Sequence, residues 1–362
     1  MFNLLLIILV LVIYLITHYK TNNKVFSDKI FLMLVFILFF FLVGFRSVYM
    51  GNDTITYINL FKKCSSVSFK ILSEMRYEKG YLLFNYFLSS FVHNSRVFLI
   101  VFSFIFNYIV YRFIKKYSKD YLKSILLYIC LLIIYLSMTM FRQYFAMLIV
   151  LISYKYAIEQ RKIPFILLII LAISMHSSAI VGLLIYPICN IKFTKKRFIF
   201  ILLVTMLVTF FLGGMLNKIS LIFNYDILYE IRHESISVAN LLYALVYFIF
   251  TIIAMYVKKY CKDCGDNIDK YIYLLLFTTV FNIMALRMNV LSRMADYFSI
   301  FSIVAIPNVL ANIKNFNTRR ISNVILFIFL FLYSSIIITF RPEWNSAYNY
   351  KTCFFDNSCF YK

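Results

Sequence analysis

Uninterrupted apolar stretches of helical length recur about twelve times along the chain, at 2–18, 30–46, 97–114, 121–140, 143–158, 164–176, 177–190, 198–216, 238–257, 271–286, 289–311 and 322–340. About twenty apolar residues in a helix cross the roughly 30 Å of hydrocarbon in a bilayer. None of these stretches alternates in the manner of barrel strands. Composition agrees, since 63% of the 362 residues are hydrophobic and 14% charged, outside the range of a soluble domain. Seven Gly and four Pro leave too little turn-forming sequence for a β-barrel. The expected fold is an all-α integral membrane protein with about twelve transmembrane helices, in a single polytopic domain over 1–362 that shows no fixed-period repeat and no linker. The stretch Gly80–Val92 is short for a span and is expected to be a re-entrant or interfacial helix. The pair 164–176 and 177–190 is thin and has no real loop between its members, which places His176 at a turn.

The net charge of +22 is explained by topology rather than by a nucleic-acid partner. Lysines and arginines cluster at 20–29, 112–123, 161–162, 192–197, 258–262 and 319–320. With Gly80–Val92 not crossing, all six clusters fall on one side, which the positive-inside rule makes cytoplasmic. Both termini then lie outside, together with the loops 47–79 and 217–237 and the tail 341–362. The N-terminus lacks a basic n-region and a small-residue cleavage site and is expected to be a retained first span. Of the seven cysteines, Cys130 and Cys189 lie in apolar runs. Cys261 and Cys264 form a CxxC on the cytoplasmic side, where a disulfide is disfavoured; Cys353 and Cys359 face an oxidising compartment if the tail is outside.

Ionisable residues at the outer ends of the helices carry the functional signal, because charge at an apolar helix end is costly without a partner or a polar cavity. Arg46, Arg142, Arg287 and Arg293 lie there, and a guanidinium pairs bidentately with phosphate. The competing view is that each snorkels to headgroups. His176 lies at the same level and is able to exchange a proton near neutral pH, although a histidine at a helix break is often purely structural. Asp53 and Glu78 are carboxylates beside the same face; an Asx-turn and a helix N-terminal charge explain them equally. The loop 217–237 reads as a solvated amphipathic cover. Asp263, Asp266 and Asp269 read as a solvated turn rather than a metal site, and no metal or cofactor is expected. Walker, HExxH and GxSxG motifs are missing from the sequence, which removes the ATPase, zinc-protease and hydrolase routes that use them.

Five short motifs follow one another on this face: Arg46 with Gly51-Asn52-Asp53-Thr54-Ile55-Thr56-Tyr57; Glu78-Lys79-Gly80-Tyr81; Phe141-Arg142-Gln143-Tyr144; Met175-His176-Ser177-Ser178-Ala179; and Arg293-Met294-Ala295-Asp296-Tyr297-Phe298. In that order, with Tyr348-Asn349-Tyr350-Lys351 in the tail, they resemble the EpsG family, which is related in role to Wzy-type O-antigen and capsule polymerases. The resemblance spans nearly the whole chain and implies a GT-C-like glycosyltransferase in the bacterial inner membrane with its active face outside. Donor and acceptor would be glycans on undecaprenyl pyrophosphate, with membrane lipids and a chain-length regulator as further partners. His176, Asp53 and Glu78 would be catalytic. Arg46, Arg142, Gln143, Arg287, Arg293, Tyr57 and Tyr297 would hold pyrophosphate or glycan. The transfer would be inverting and independent of metal, with arginines stabilising the departing phosphate and a base at the acceptor hydroxyl. A flippase for the same lipid-linked glycan is the main alternative, followed by a ligase and an acyltransferase. A transporter places its ionisable groups near the midplane, whereas here they gather at one face.

Overall fold

The computed structural model describes residues 2–19, 23–223, 238–261, 267–340 and 348–355. In chain order the α-helices are α1 (Phe2–Tyr19), α2 (Lys24–Gly44), α3 (Thr54–Ser66), α4 (Phe69–Leu72), α5 (Lys79–Ser89), α6 (Ser95–Tyr117), α7 (Tyr121–Cys130), α8 (Ile133–Thr139), α9 (Phe141–Ile158), α10 (Lys162–Met175) and α11 (Ile185–Asn190), the last preceded by a 3-10 segment, Ser177–Leu184. After them come α12 (Lys195–Phe223), α13 (Val238–Tyr260), α14 (Asn267–Ala285), α15 (Ser292–Ser299), α16 (Ser302–Ala311) and α17 (Phe316–Phe340). Pairing between extended segments is confined, among the described residues, to one bridge between Arg46 and Thr352.

Helix starts are written locally. The side chains of Asn23, Asn94 and Asp120 accept from Phe26 N, Arg96 N and Lys123 N and cap α2, α6 and α7. Among the described residues, six helices are long and apolar enough to cross a membrane, or eight if each bent pair is one span, which makes the chain a multi-pass membrane protein. Two stretches expected as continuous helices are bent pairs: α7 and α8 meet at 55°, and the segment Asn289–Ser299 meets α16 at 49°. At the first bend Leu132 adopts φ +62, a left-handed conformation that costs a non-glycine residue about 1–2 kcal/mol and is held by complete enclosure in the core. At the second, Ser299 Oγ donates to the Asp296 carbonyl at 3.0 Å, a local bond that competes with helix continuation.

Burial sorts the helices. Most side chains of α7 and α9 and nearly all of α8 and α16 are buried, so these form the centre. On the periphery α1, α12 and α17 expose Leu5, Leu15, Phe200, Phe210, Ile325 and Phe340. In water such a surface would drive aggregation; in a bilayer it is the surface that lipid requires.

The bundle has two chemically different ends. At one end, Asn308 Nδ2 donates to the Tyr117 carbonyl and to Tyr271 Oη, both at 2.7 Å. Asn190 there donates to the Ala157 carbonyl, and Asp269 pairs with Lys258 while accepting from Phe193 N. Asp269 was expected in a solvated turn; it is buried instead and pins three elements together, while Asp263 and Asp266 lie outside the described residues. At the opposite end, Ser47 N and Cys353 N donate to the Lys351 and Phe45 carbonyls, each at 2.9 Å. Tyr350 Oη donates to the Leu42 carbonyl and its ring stacks on Phe2, so the tail motif straps the N-terminus to α2. Helix α5 is flanked on both sides by contacts at this second end: Glu78 bonds His176 before it, and Arg96 bonds the Arg46 carbonyl after it. Its 11 residues span only about 16 Å, in keeping with a helix that enters and leaves on one side. Both Cys353 and Cys261 are disulfide-bonded. For Cys261 this reverses the expectation drawn from compartment, which bears on redox poise and not on whether the sulfur has a partner. The loop expected as a cover, 217–237, lies mostly outside the described residues.

Candidate functional site

Glu78 organises the end that carries the tail. Its Oε1 accepts from His176 Nδ1 at 2.8 Å and from Ser177 N at 3.2 Å, and its Oε2 accepts from Arg142 Nη1 at 2.5 Å. Residues 64 and 98 positions away in sequence thereby meet on one carboxylate. All three side chains keep partial access to solvent, 24% for Arg142, 18% for Glu78 and 12% for His176, so the cluster borders an open face.

Three local features build this meeting. Arg142 is the second residue of α9 and its guanidinium lies over the Tyr77 ring, 4.9 Å from the centroid, a cation–π contact that holds the side chain toward Glu78. His176 is extended (φ −157, ψ 124) between α10 and the 3-10 segment, so the helix break presents both its ring and the Ser177 amide to one acceptor. Gly80 lets α5 approach α10: a Cβ there would sit 2.7 Å from both the Cβ and the backbone carbonyl oxygen of Ser174. Since a backbone carbonyl does not yield as a side-chain tip does, any larger residue pushes α5, and Glu78 with it, away from His176.

Burial by itself would raise the Glu78 carboxyl, but the hydrogen bond from His176 and the charge of Arg142 outweigh it and hold the group at about 2. Glu78 is therefore an anion at neutral pH with both oxygens engaged. Burial also raises the Tyr57 phenol, against the opposing pull of Arg142.

A second group continues from the first through chain neighbours. Gln143 Nε2, next to Arg142, donates to Asp296 Oδ2 at 2.8 Å and to the Arg293 carbonyl at 3.1 Å. Ser178 Oγ, next to Ser177, lies 3.2 Å from Tyr297 Oη. The segment at 293–297 is thus tied to both α9 and the helix break. Gln143 and Tyr297 are themselves buried and shape the site rather than face out of it; so does Tyr57, whose ring stacks on Phe141 at 5.0 Å.

The remaining expected residues divide. Arg46 is fully enclosed; it donates to the Val43 carbonyl at 2.5 Å, the Met138 carbonyl at 3.1 Å and Thr54 Oγ1 at 3.4 Å, and lies over the Phe141 ring. Thr54 also reaches the Met138 carbonyl, at 3.1 Å, and Gly51 makes room for it with φ +87, a backbone state that suits glycine. Arg46 with Gly51-Asn52-Asp53-Thr54 is thus largely a device that closes the ends of α2 and α8 against the start of α3. Asp53 itself is exposed at the N-cap position of α3, with no capping bond from its side chain. Arg287 and Arg293 present exposed side chains and stand outside the Glu78 cluster. Sequence reasoning missed Arg96, whose Nη1 donates to the Gly44 and Arg46 carbonyls. It also gave no site role to Tyr77, Ser177, Ser178 or Asp296; the last three lie within the motifs themselves and Tyr77 directly precedes one, which was the available signal.

Two sizeable cavities lie elsewhere, one of about 440 Å³ between α6 and α9 near Arg112 and Lys155 and one of about 730 Å³ among α13, α16 and α17. Neither is lined by a residue of the Glu78 cluster, whose side chains keep partial access to solvent. Neither curated proteins nor solved structures show a significant match to the chain. Residues 29–352, nearly the whole chain, do match the model of the EpsG family; the chain belongs to the EpsG family, a membership associated with Wzy-type polymerases and pointing to a polysaccharide-polymerase function in general.

Proposed function

We propose that this chain polymerises lipid-linked oligosaccharide repeat units, transferring the growing glycan from undecaprenyl pyrophosphate to a new lipid-linked unit at the outer face of the bacterial inner membrane. The observation that carries this reading is the joining of Arg142, Glu78 and His176 at the end of the bundle opposite the basic loops. In the mechanism that fits, the bond between the anomeric carbon and the pyrophosphate oxygen breaks, and its electron pair leaves on phosphate. Arg142 supplies positive charge for that leaving group, and the exposed Arg287 and Arg293 are the further candidates for the same role. The acceptor hydroxyl oxygen forms the new bond as its proton passes to His176. Glu78, already ionised, is best read as the orienting partner: by accepting from Nδ1 it selects the tautomer in which Nε2 is the proton acceptor. This single displacement would be inverting and needs no metal, and Asp53 is the reserve base on the exposed rim.

The same reading takes the twelve apolar stretches as twelve crossings in a GT-C-like arrangement, with the basic loops cytoplasmic, and adds a chain-length regulator as a partner. Lipid-linked glycans in cells lacking the protein separate the two main possibilities. A missing polymerase leaves single, unextended repeat units that still reach the cell surface. Complete loss of surface glycan, with units retained on the inner leaflet, would instead identify a flippase.

A further inference from the structure

The cavity between α6 and α9 lies at the opposite end of α9 from the candidate site. Arg142 and Lys155 are 13 residues apart on one helix, about 20 Å along its axis. Arg112, Lys115 and Lys116 occupy i, i+3 and i+4 positions on α6 and share one face, and all three line the cavity with Lys155 across from them. Among the described residues no carboxylate pairs with Arg112, Lys115 or Lys116: Lys115 lies over the Tyr111 ring at 5.3 Å and Lys116 over the Tyr117 ring at 5.1 Å, while Arg112 is exposed. Glu159 is the acid nearby, and it is shared at long range between Lys155 at 3.9 Å and Arg161 at 3.7 Å.

One turn deeper along both helices the lining changes character. Tyr108 on α6 and Ile152 on α9 line the same cavity and are largely exposed, 42% and 43%. A cleft of about 440 Å³ therefore runs from a cationic mouth at the helix ends to apolar walls toward the middle of the bundle. That gradient has the order of a phospholipid, headgroup phosphate at the interface and acyl chain beside the helices. The two lysines at the end of α6 also complement its dipole, but the dipole does not account for Arg112 a turn earlier or for Lys155 on the facing helix.

We propose that this cleft is a binding site for an anionic phospholipid, with Arg112, Lys115 and Lys116 on the headgroup phosphate and an acyl chain against Ile152 and Tyr108. The site is independent of the chemistry at the Glu78 cluster. A basic residue beside an anionic headgroup strengthens binding by roughly fivefold, so losing three should weaken it by on the order of a hundredfold. The test uses the full-length protein in zwitterionic detergent micelles, titrated with spin-labelled phosphatidylglycerol or phosphatidylcholine. We expect phosphatidylglycerol to be immobilised preferentially, and Arg112→Gln/Lys115→Gln/Lys116→Gln to abolish the preference. The control Lys192→Gln/Lys195→Gln/Lys196→Gln removes equal charge from the exposed entry to α12 and should keep it. Equal immobilisation of both lipids, or equal loss in the control, would overturn the proposal. So would displacement of the labelled lipid by inorganic phosphate beyond that by chloride at matched ionic strength, which would mark a free-anion site.

Discussion

Arg46 and Arg142 lie at the same end of the bundle, each close to a helix terminus, and flank Phe141: Arg46 stands over its ring, and Arg142 is its chain neighbour. Their surroundings are nevertheless opposite. Arg46 is enclosed and gives its hydrogen bonds to backbone carbonyls and a threonine. Arg142 is a quarter exposed and faces a carboxylate that also holds a histidine. Carbonyls at helix ends are acceptors that a fold must satisfy, so an arginine spent on them is part of the frame. A carboxylate shared between a guanidinium and an imidazole at an open face arranges charge and a proton acceptor for a ligand.

Substitutions should separate these two roles. Arg142→Ala is expected to abolish polymerisation while leaving the protein folded, because Tyr77 and Glu78 remain partly hydrated after its removal; Arg142→Lys should restore only part of the activity, since one ammonium cannot match a planar fork. Polymer length at matched expression reads both. Arg46→Ala should instead cost about 3 kcal/mol or more of stability, because buried carbonyls lose charge-assisted partners, and it should show first as a lowered melting temperature in detergent. An Arg46→Ala protein of normal stability and no activity would move Arg46 into the site.

Gly80→Ala is a smaller and more diagnostic change. The added methyl group must displace α5 from Ser174, and a shift approaching 1 Å between Glu78 and His176 lowers turnover by roughly 10²-fold with little loss of stability. Unchanged turnover would show that the Glu78–His176 distance does not matter. The smallest effect expected is on pH dependence of stability. Glu78 is held at about 2, below its ordinary 4.5; its contribution is therefore complete above about 4.5 and is lost as the pH falls toward 2. Melting temperatures of wild type and Glu78→Gln should converge across that window, and parallel curves would contradict the pairing.

The contrast between the two arginines also marks the limit of what is legible in the sequence. Apolar run lengths located most of the long helices, because that signal is summed over many residues, whereas α3 and α4 lie in a polar stretch read as a loop. The bend at Leu132 was invisible: an ordinary leucine in an apolar run carries no mark of φ +62. The break at His176 was legible because two thin apolar stretches met there without a loop. In the site, the motifs brought Glu78, Arg142 and His176 forward as separate candidates, but their meeting on one carboxylate depends on α5 touching α10, which only the fold supplies. Arg46 could not be told from Arg142 for the same reason, since burial is decided by elements distant in sequence, here the tail, α3 and α8. Asp269 followed suit, a lone acid in a polar stretch that the fold buries against Lys258.

Chain extension by purified protein on a defined lipid-linked repeat unit, measured for wild type and His176→Gln, tests most directly the claim that His176, oriented by Glu78, takes the acceptor's proton. Glutamine retains much of the hydrogen bonding to Glu78 but cannot accept the proton. The account predicts that His176→Gln slows transfer by on the order of 10²–10⁴ with donor binding intact. Near-normal extension by His176→Gln would contradict it and shift the base to Asp53.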